Sequence, residues 1–198
     1  MKADTVGFIG FGLIGGSIGK AIKEKYPNTR IIGHAAHETT IMEAYHAGII
    51  DHPGFLPLEE FAKVNLLFLC SPVRINLDYL NRLKPVLSPD CLITDVGSVK
   101  GDIHTAVRKL GLTKQFIGGH PMTGSEKTGF VNSDVTLLEN AYYILTKDED
   151  TDEGLLSEFS DYIASLGAIT LNLSPQAHDF ATAAISHLPH IISAALVN

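Results

Sequence analysis

The sequence contains few cysteines and few basic residues. Its two cysteines, Cys70 and Cys91, fit neither a C-x-x-C motif nor the spacing of zinc ligands. So low a thiol content is typical of a reducing compartment, and we expect a cytoplasmic protein. Lysine and arginine total 15 against 22 aspartate and glutamate residues, so the formal charge is −7. This balance argues against a nucleic acid partner, because affinity for a phosphate backbone depends on positive charge.

An uninterrupted apolar run is also missing. The most hydrophobic stretch near the start, residues 6–22, contains six glycines and follows Asp4. It has no small-residue cleavage site at the position that a signal peptide requires, and its glycines make it a poor membrane span. We therefore predict neither export nor a membrane partner. With 45% hydrophobic residues, the chain can still bury a substantial core.

Short apolar runs alternate with helical patterns over most of the chain. Strands are predicted over residues 5–9, 30–33, 64–70, 91–96, 116–119, 141–146 and 168–173. Helical patterns lie between most of these runs, and the second helix is predicted to open with a capping box at Thr40. The alternation predicts an α/β fold with a doubly wound, mostly parallel sheet of the Rossmann type.

Residues 10–15 match the motif G-x-G-x-x-G between a predicted strand and a predicted helix. Gly10 would permit a tight turn, Gly12 would let the backbone approach a pyrophosphate, and Gly15 would bring the helix against the strand. Amides at the helix start, including those of Leu13 and Ile14, would bind the anion, so an acidic chain can hold phosphates without a basic patch. The motif predicts NAD or NADP as the cofactor.

The acidic residue that binds the adenine ribose in many such domains is missing. Ala35 stands near its expected place, and Glu38 lies too far into the loop. Without a carboxylate, a 2′-phosphate is not repelled, and His34, His37 or nearby threonine hydroxyls could donate to it. Backbone contacts alone would instead hold NAD. The sequence leaves the two cofactors equally open.

Three further loops follow predicted strands and are expected to surround the nicotinamide, because ligands bind beyond the carboxyl ends of parallel strands. The loop residues of interest are Ser71, Pro72, Val73, Asp95, Gly97, Ser98, His120, Thr123, Ser125 and Glu126. His120 stands at a strand end beside Pro121, where it does not fill a helix face. It is therefore a candidate for chemistry, although a lone histidine is more often structural.

The chain ends in a different pattern. From Pro175 onward the sequence predicts one long apolar helix, with a kink at Pro189, which cannot donate to the carbonyl of Ile185. We expect residues 1–173 to form a dinucleotide-binding domain and residues 174–198 to begin a second, helical domain. His187 and His190 are spaced by three residues, but no carboxylate or cysteine completes a metal site, so we expect no metal.

Four segments together resemble the prephenate/arogenate dehydrogenase family over essentially the whole chain. They are residues 10–17, residues 95–101, residues 119–126 and the run Ser186-His187-Leu188-Pro189-His190. Thr123, where the family usually has alanine, and the missing ribose acid depart from the family pattern. The resemblance implies NAD(P)-dependent oxidative decarboxylation of prephenate to 4-hydroxyphenylpyruvate, or of arogenate to tyrosine, in tyrosine biosynthesis. It also implies a homodimer formed through an all-helical dimerisation domain, of which residues 174–198 are the first helix.

The resemblance further implies roles for individual residues. His120 would accept the proton of the substrate 4-hydroxyl, and Ser98 would hydrogen-bond to the same region. The substrate-binding residues would be His190, His187, Thr123, Ser125, Glu126 and Asp179. Asp179 is included because it lies eleven residues before His190, about three helical turns away on a nearby face, where it would join the same polar network. A solvated position or a domain contact is an equal alternative for it. The arginine expected to bind the substrate carboxylate would lie beyond Asn198.

Two other functions share part of the pattern. Another hydroxyacid or imine reductase with a Rossmann domain would have the glycine turn but would not need the Ser-His-Leu-Pro-His run. A non-catalytic nucleotide-sensing module would need neither Ser98 nor His120. The choice between prephenate and arogenate stays open, because these substrates differ only by a keto or amino group on the side chain.

Overall fold

One seven-stranded sheet organises residues 3–197, which are the residues that the computed structural model describes. The strands are β1 (Thr5–Ile9), β2 (Arg30–His34), β3 (Leu66–Leu69), β4 (Leu92–Asp95), β5 (Phe116–Pro121), β6 (Tyr142–Thr146) and β7 (Ile169–Leu173). Their order across the sheet is β2-β1-β3-β4-β5-β6-β7. The first five strands in that order are parallel, which confirms the predicted Rossmann-type sheet.

Strand β6 runs antiparallel to β5, and β7 runs parallel to β6. The connection between β5 and β6 contains a 3₁₀ turn, Phe130–Asn132, instead of a crossover helix. A parallel neighbour needs a crossover that carries the chain back along the sheet, usually a helix. Strand β6 therefore returns antiparallel.

Helices connect most of the other strands. They are α1 (Leu13–Lys25), α2 (Glu38–His46), α3 (Val73–Leu83), α4 (Gly101–Leu110), α5 (Glu153–Ser165), α6 (Pro175–Thr182) and α7 (Leu188–Val197). Helix α2 begins at Glu38, whose acidic side chain suits the first turn, and its N-cap residue is His37. The predicted capping box at Thr40 is therefore wrong, because Thr40 already lies inside the helix.

The helices cover both faces of the sheet. Leu66 and Phe68 of β3 pack in the cluster that includes α1 and α5, whereas Leu67 and Leu69 pack in the cluster with α3 and α4. All four side chains are buried. A strand covered on both faces has no solvent-exposed side, which explains why β3 is apolar throughout and does not alternate with polar residues.

The last helical region, residues 175–197, is not one continuous α-helix. Residues Ala183–His187 form a π-helical segment, in which the amide of Leu188 donates to the carbonyl of Ala183. The π-helical segment ends two residues before Pro189, which has no amide hydrogen to continue the ladder of backbone hydrogen bonds. Helix α6 packs against α4 and β6.

The assignment of residues 174–198 to a separate helical domain stays a prediction. Within residues 3–197, no helix combines the length and apolar character needed to cross a membrane.

A buried ion pair fixes the loops that follow β4 and β5. The ammonium of Lys100 contacts Asp95 Oδ2 at 2.5 Å and donates to the carbonyl of Gly119 at 2.7 Å. The Asp95 carboxylate also accepts the amides of Gly97 and Gly119. Lys100 and Asp95 are 0% and 1% exposed, so this one pair joins the end of β4, the start of α4 and the middle of β5 out of contact with water.

The pair predicts a large effect on stability. Lys100→Met should lower the free energy of unfolding by about 3–5 kcal/mol, because it leaves the Asp95 carboxylate buried without its cation. Lys63→Met is the matched control: Lys63 pairs with Glu60 at the surface and is 61% exposed, so its loss should cost less than about 1 kcal/mol. Urea denaturation measures both. Equal losses in the two variants would show that the buried pair does not organise the sheet edge.

Candidate active site

The glycine turn lies where β1 passes into α1 and has the shape that a pyrophosphate requires. Gly10 adopts φ +93°, and a Cβ there would lie 2.6 Å from Ser71 Oγ. A Cβ on Gly15 would collide with the carbonyl oxygen of Gly10. At Gly12, by contrast, no heavy atom of the described residues outside its own stretch of chain lies within 4 Å of the Cβ position. Open space therefore faces the amides of the first turn of α1, and these residues fit a dinucleotide phosphate.

His34 ends β2 and belongs to an aromatic cluster. Its Nδ1 lies 3.0 Å from the hydroxyl of Tyr79, and its ring stacks on Phe55 with centroids 4.5 Å apart. Burial, and then the positive charge of Arg82, lower the pKa of His34, so the ring is uncharged at neutral pH. His34 can therefore offer a hydrogen bond to a ribose or a 2′-phosphate but not a positive charge. Ala35, the next residue, is buried.

The loop after β3 lies against the glycine turn and is held by a residue that sequence reasoning missed. Pro72 is the N-cap of α3, and Val73 is the first residue of that helix. The buried side-chain amide of Asn76 accepts from the amide of Ser71 and donates to the carbonyls of Ser71 and Leu69. The only sequence signal for this role is an amide side chain four residues after a proline that opens a helix.

The loop after β4 and the end of β5 meet at an open cleft of about 450 Å³. It is lined by Ser98, His120, Pro121, Met122, Thr123, Gly124, Thr182 and Ser186. The predicted catalytic pair, Ser98 and His120, therefore shares one cleft with Thr123 and with the last helical region. Strands β1, β3, β4 and β5 are parallel, so this cleft and the glycine turn lie at the same edge of the sheet.

Other predicted residues lie outside the cleft lining. The side chain of Asp95 is buried in the ion pair with Lys100, so it positions the loops around it. Ser125 and Glu126 lie in the exposed loop that follows the cleft residues. The side chains of His187 and His190 lie outside the described residues. Among the described side chains, no group of three or more histidine, cysteine or acidic residues has an arrangement that could hold a metal ion.

His120 is joined to a histidine that sequence reasoning missed. His120 Nδ1 lies 2.8 Å from Nε2 of His178, which is completely buried in α6. His178 Nδ1 in turn lies 2.8 Å from Oδ1 of Asp179. The available signal was the adjacent pair His178-Asp179 near the start of the predicted last helix, but only its second member was singled out.

Asp179 binds the N-terminus of α4 as well as His178, and its contact with the substrate stays a prediction. Its carboxylate accepts the amides of Lys100 at 2.7 Å and Gly101 at 2.8 Å, at the N-terminus of α4. Burial raises the pKa of Asp179, but the hydrogen bonds from Lys100, His178 and Gly101 outweigh it and hold the pKa below its usual value. Asp179 is therefore a carboxylate at neutral pH.

Comparison with known proteins agrees with this geometry. The family described as "Prephenate dehydrogenase, nucleotide-binding domain" matches residues 18–171. The prephenate dehydrogenase of Bacillus subtilis (strain 168) is 37% identical over 98% of this chain and 53% of its own length, and that of Lactococcus lactis is 36% identical over 96% and 52%. The chain thus spans about half the length of these curated relatives.

Solved structures agree as well. Prephenate dehydrogenase from A. aeolicus, in complex with hydroxyphenyl propionate and NAD+, superposes with a TM-score of 0.92 at 34% identity, over 100% of this chain and 69% of the other. Synechocystis arogenate dehydrogenase gives a TM-score of 0.88 at 34% identity, over 98% and 68%. With the glycine turn, the cleft and the family match in agreement, this chain belongs to the prephenate dehydrogenase family and carries its nucleotide-binding domain.

Proposed function

We propose that this chain binds NAD or NADP and belongs to an enzyme that oxidatively decarboxylates prephenate to 4-hydroxyphenylpyruvate, or arogenate to tyrosine, in tyrosine biosynthesis. The observation that carries the proposal is the position of His120. It ends a parallel strand, lines a cleft with Ser98, and lies at the sheet edge that holds the glycine turn. The A. aeolicus relative was solved with NAD+ and an aromatic acid, which supports the same classes of ligand here.

The residues assigned to the cofactor are those of the glycine turn and the loops beside it. They are Gly10, Gly12, Leu13, Ile14 and Gly15 for the pyrophosphate, His34 for the adenine ribose, and Ser71, Pro72, Val73, Gly97 and Ser98 for the nicotinamide half. When bound, the nicotinamide ring supplies a hydride acceptor. The amides of the first turn of α1 bind the phosphates, and the loops after β3 and β4 enclose the remaining half.

His120 carries the proton chemistry. As hydride leaves the carbon that bears the 4-hydroxyl, the oxygen loses electron density, and the neutral imidazole takes its proton. The ring carboxyl group leaves as CO₂ and returns an electron pair to the ring, and the product phenol regains a proton. The cleft position of Ser98 lets its hydroxyl orient the same oxygen. Thr123, Ser125, Glu126, His187 and His190 are proposed to contact the rest of the substrate.

The last helical region is proposed to form a homodimer. Its apolar side chains are unusually open to solvent, with Phe180 at 79%, Ile185 at 67% and Leu196 at 81% exposed. Large apolar side chains left open to solvent in this number mark a protein interface. We also propose a cytoplasmic location, supported by Cys70 and Cys91, which are free thiols.

The first prediction concerns the glycine turn. Gly12→Val should weaken binding of both NADH and NADPH by at least about tenfold, equal to about 1.4 kcal/mol, because the side chain would fill the open space at this position. Fluorescence titration measures both affinities, and their ratio identifies the preferred cofactor.

Gly15→Val is the contrasting variant. It should lower the thermal unfolding midpoint, because its Cβ meets the backbone of Gly10, whereas Gly12→Val should leave the midpoint nearly unchanged. Unaltered affinities in Gly12→Val would refute the assignment of this turn to the cofactor.

The second prediction concerns His120. In a preparation active on prephenate or arogenate, His120→Asn should lower kcat by roughly 10²–10⁴ while KM stays within a few-fold, because asparagine can hydrogen-bond to the hydroxyl but cannot accept its proton. Wild-type kcat should fall at acid pH, since only a neutral imidazole accepts a proton, and this limb should disappear in the variant. His46→Asn, at an exposed position on α2, is the control. If His120→Asn keeps both its rate and its acid limb, another group takes the proton.

The third prediction concerns association. Sedimentation velocity at roughly tens of micromolar should show dimers or larger species, because an apolar interface holds chains together in this range. Ile191→Asp, in the exposed apolar surface of α7, should shift the protein toward monomer, whereas Met42→Asp, on α2, should not. A wild-type protein that sediments only as monomer contradicts the dimer.

A further inference from the structure

The contact between His120 and His178 joins two rings that face each other almost edge to face. Their centroids are 5.1 Å apart and their planes meet at 69°. His178 has no exposed surface, and its Nε2 also lies 3.4 Å from the hydroxyl of Thr182, one turn along α6. Among the described side chains, those within hydrogen-bond distance of His178 are His120 from β5, and Asp179 and Thr182 from its own helix.

The partners of His178 determine where its hydrogen sits. An ionised carboxylate can only accept a hydrogen bond, so Nδ1 of His178 carries a hydrogen and donates it to Asp179. The neutral ring then has its lone pair on Nε2, the atom that faces His120.

The contact with His178 also determines the tautomer of His120. A contact of 2.8 Å between two ring nitrogens needs one hydrogen, and with a lone pair on His178 Nε2 that hydrogen belongs to Nδ1 of His120. The neutral His120 ring therefore carries its lone pair on Nε2, the atom with which it can accept a proton. The opposite tautomer would place a hydrogen on Nε2, where it would block that acceptance.

Asp179, the last residue in this series of contacts, is bound to the backbone. Asp179 accepts the amides of Lys100 and Gly101 at the N-terminus of α4, where the helix dipole favours a negative charge. When His120 takes a proton, its new positive charge lies one ring away from this carboxylate. The arrangement therefore both selects the accepting tautomer and stabilises the protonated ring.

We propose that His178 is a positioning residue. Held by Asp179, it keeps His120 in the tautomer that has a hydrogen on Nδ1 and none on Nε2. This assignment rests on the proposed function for its effect on turnover, but not for the tautomer itself. His178 touches neither substrate nor cofactor in this account, since it acts through His120.

The tautomer can be read without substrate. Long-range ¹H–¹⁵N correlation spectra of the ¹⁵N-histidine-labelled protein distinguish a protonated ring nitrogen from a bare one, and His120→Asn identifies the His120 signals. In the wild type, we expect Nδ1 of His120 to be protonated and Nε2 to be unprotonated. In His178→Leu, which removes the acceptor, the His120 ring should shift toward the Nε2-protonated form.

Turnover provides the second readout. His178→Leu should lower kcat by roughly 10–100-fold, the usual cost of losing a residue that orients a reactive histidine, with KM within a few-fold. His178→Gln should recover much of this loss, because its amide oxygen can accept from His120 Nδ1. The thermal midpoint of each variant is measured alongside, because a loss caused only by unfolding would follow stability and not the presence of an acceptor.

The outcomes separate the two proposals. A wild-type His120 with Nε2 protonated overturns the role of His178, as does equal kcat in wild type, His178→Leu and His178→Gln. If His178→Leu does not fold, the wild-type spectrum and the His178→Gln rate still decide. An enzyme containing this chain that is inactive on both prephenate and arogenate refutes the proposed function, while an unprotonated Nε2 of His120 in the same sample upholds the role of His178.

Discussion

The arrangement of this site depends on one buried ion pair. Lys100 and Asp95 are almost completely withdrawn from water, and between them they contact the backbone on both sides of the cleft. An exposed pair would contribute little, but a buried one strongly penalises any movement that separates its charges. The end of β4, the loop with Ser98 and the strand that ends in His120 are therefore held in one relative position.

The backbone of the same lysine extends this constraint to the last helical region. The amides of Lys100 and Gly101 bind Asp179, and Asp179 is the neighbour and partner of His178. The side chain of Lys100 thus fixes β5, and the backbone amide of the same residue fixes α6. The two rings that meet at 2.8 Å, His120 and His178, come from these two elements. Their contact is a consequence of how Lys100 is buried.

Sequence reasoning predicted the features whose causes are local. Helix α3 spans Val73–Leu83, between two of the predicted strands, and Pro72 favours the start of a helix there. The glycine turn could be recognised because each glycine meets a steric requirement of the backbone within a few residues.

The direction of β6 was not predictable in this way, since it depends on how a long connection crosses the sheet. His178 was missed because its partner His120 is 58 residues away, and no local pattern marks such a pair. Lys100 was not singled out, since its burial depends on three separate elements.

A crystal structure of the protein with NAD+ tests the account most directly. We expect the pyrophosphate against Gly12 and the first turn of α1, and the nicotinamide ring in the cleft between Ser98 and His120, with its reactive carbon open to a substrate about 3–3.5 Å away. The Lys100–Asp95 pair should be intact in that complex. A dinucleotide bound away from the glycine turn, or a nicotinamide ring outside the cleft of Ser98 and His120, would contradict the account.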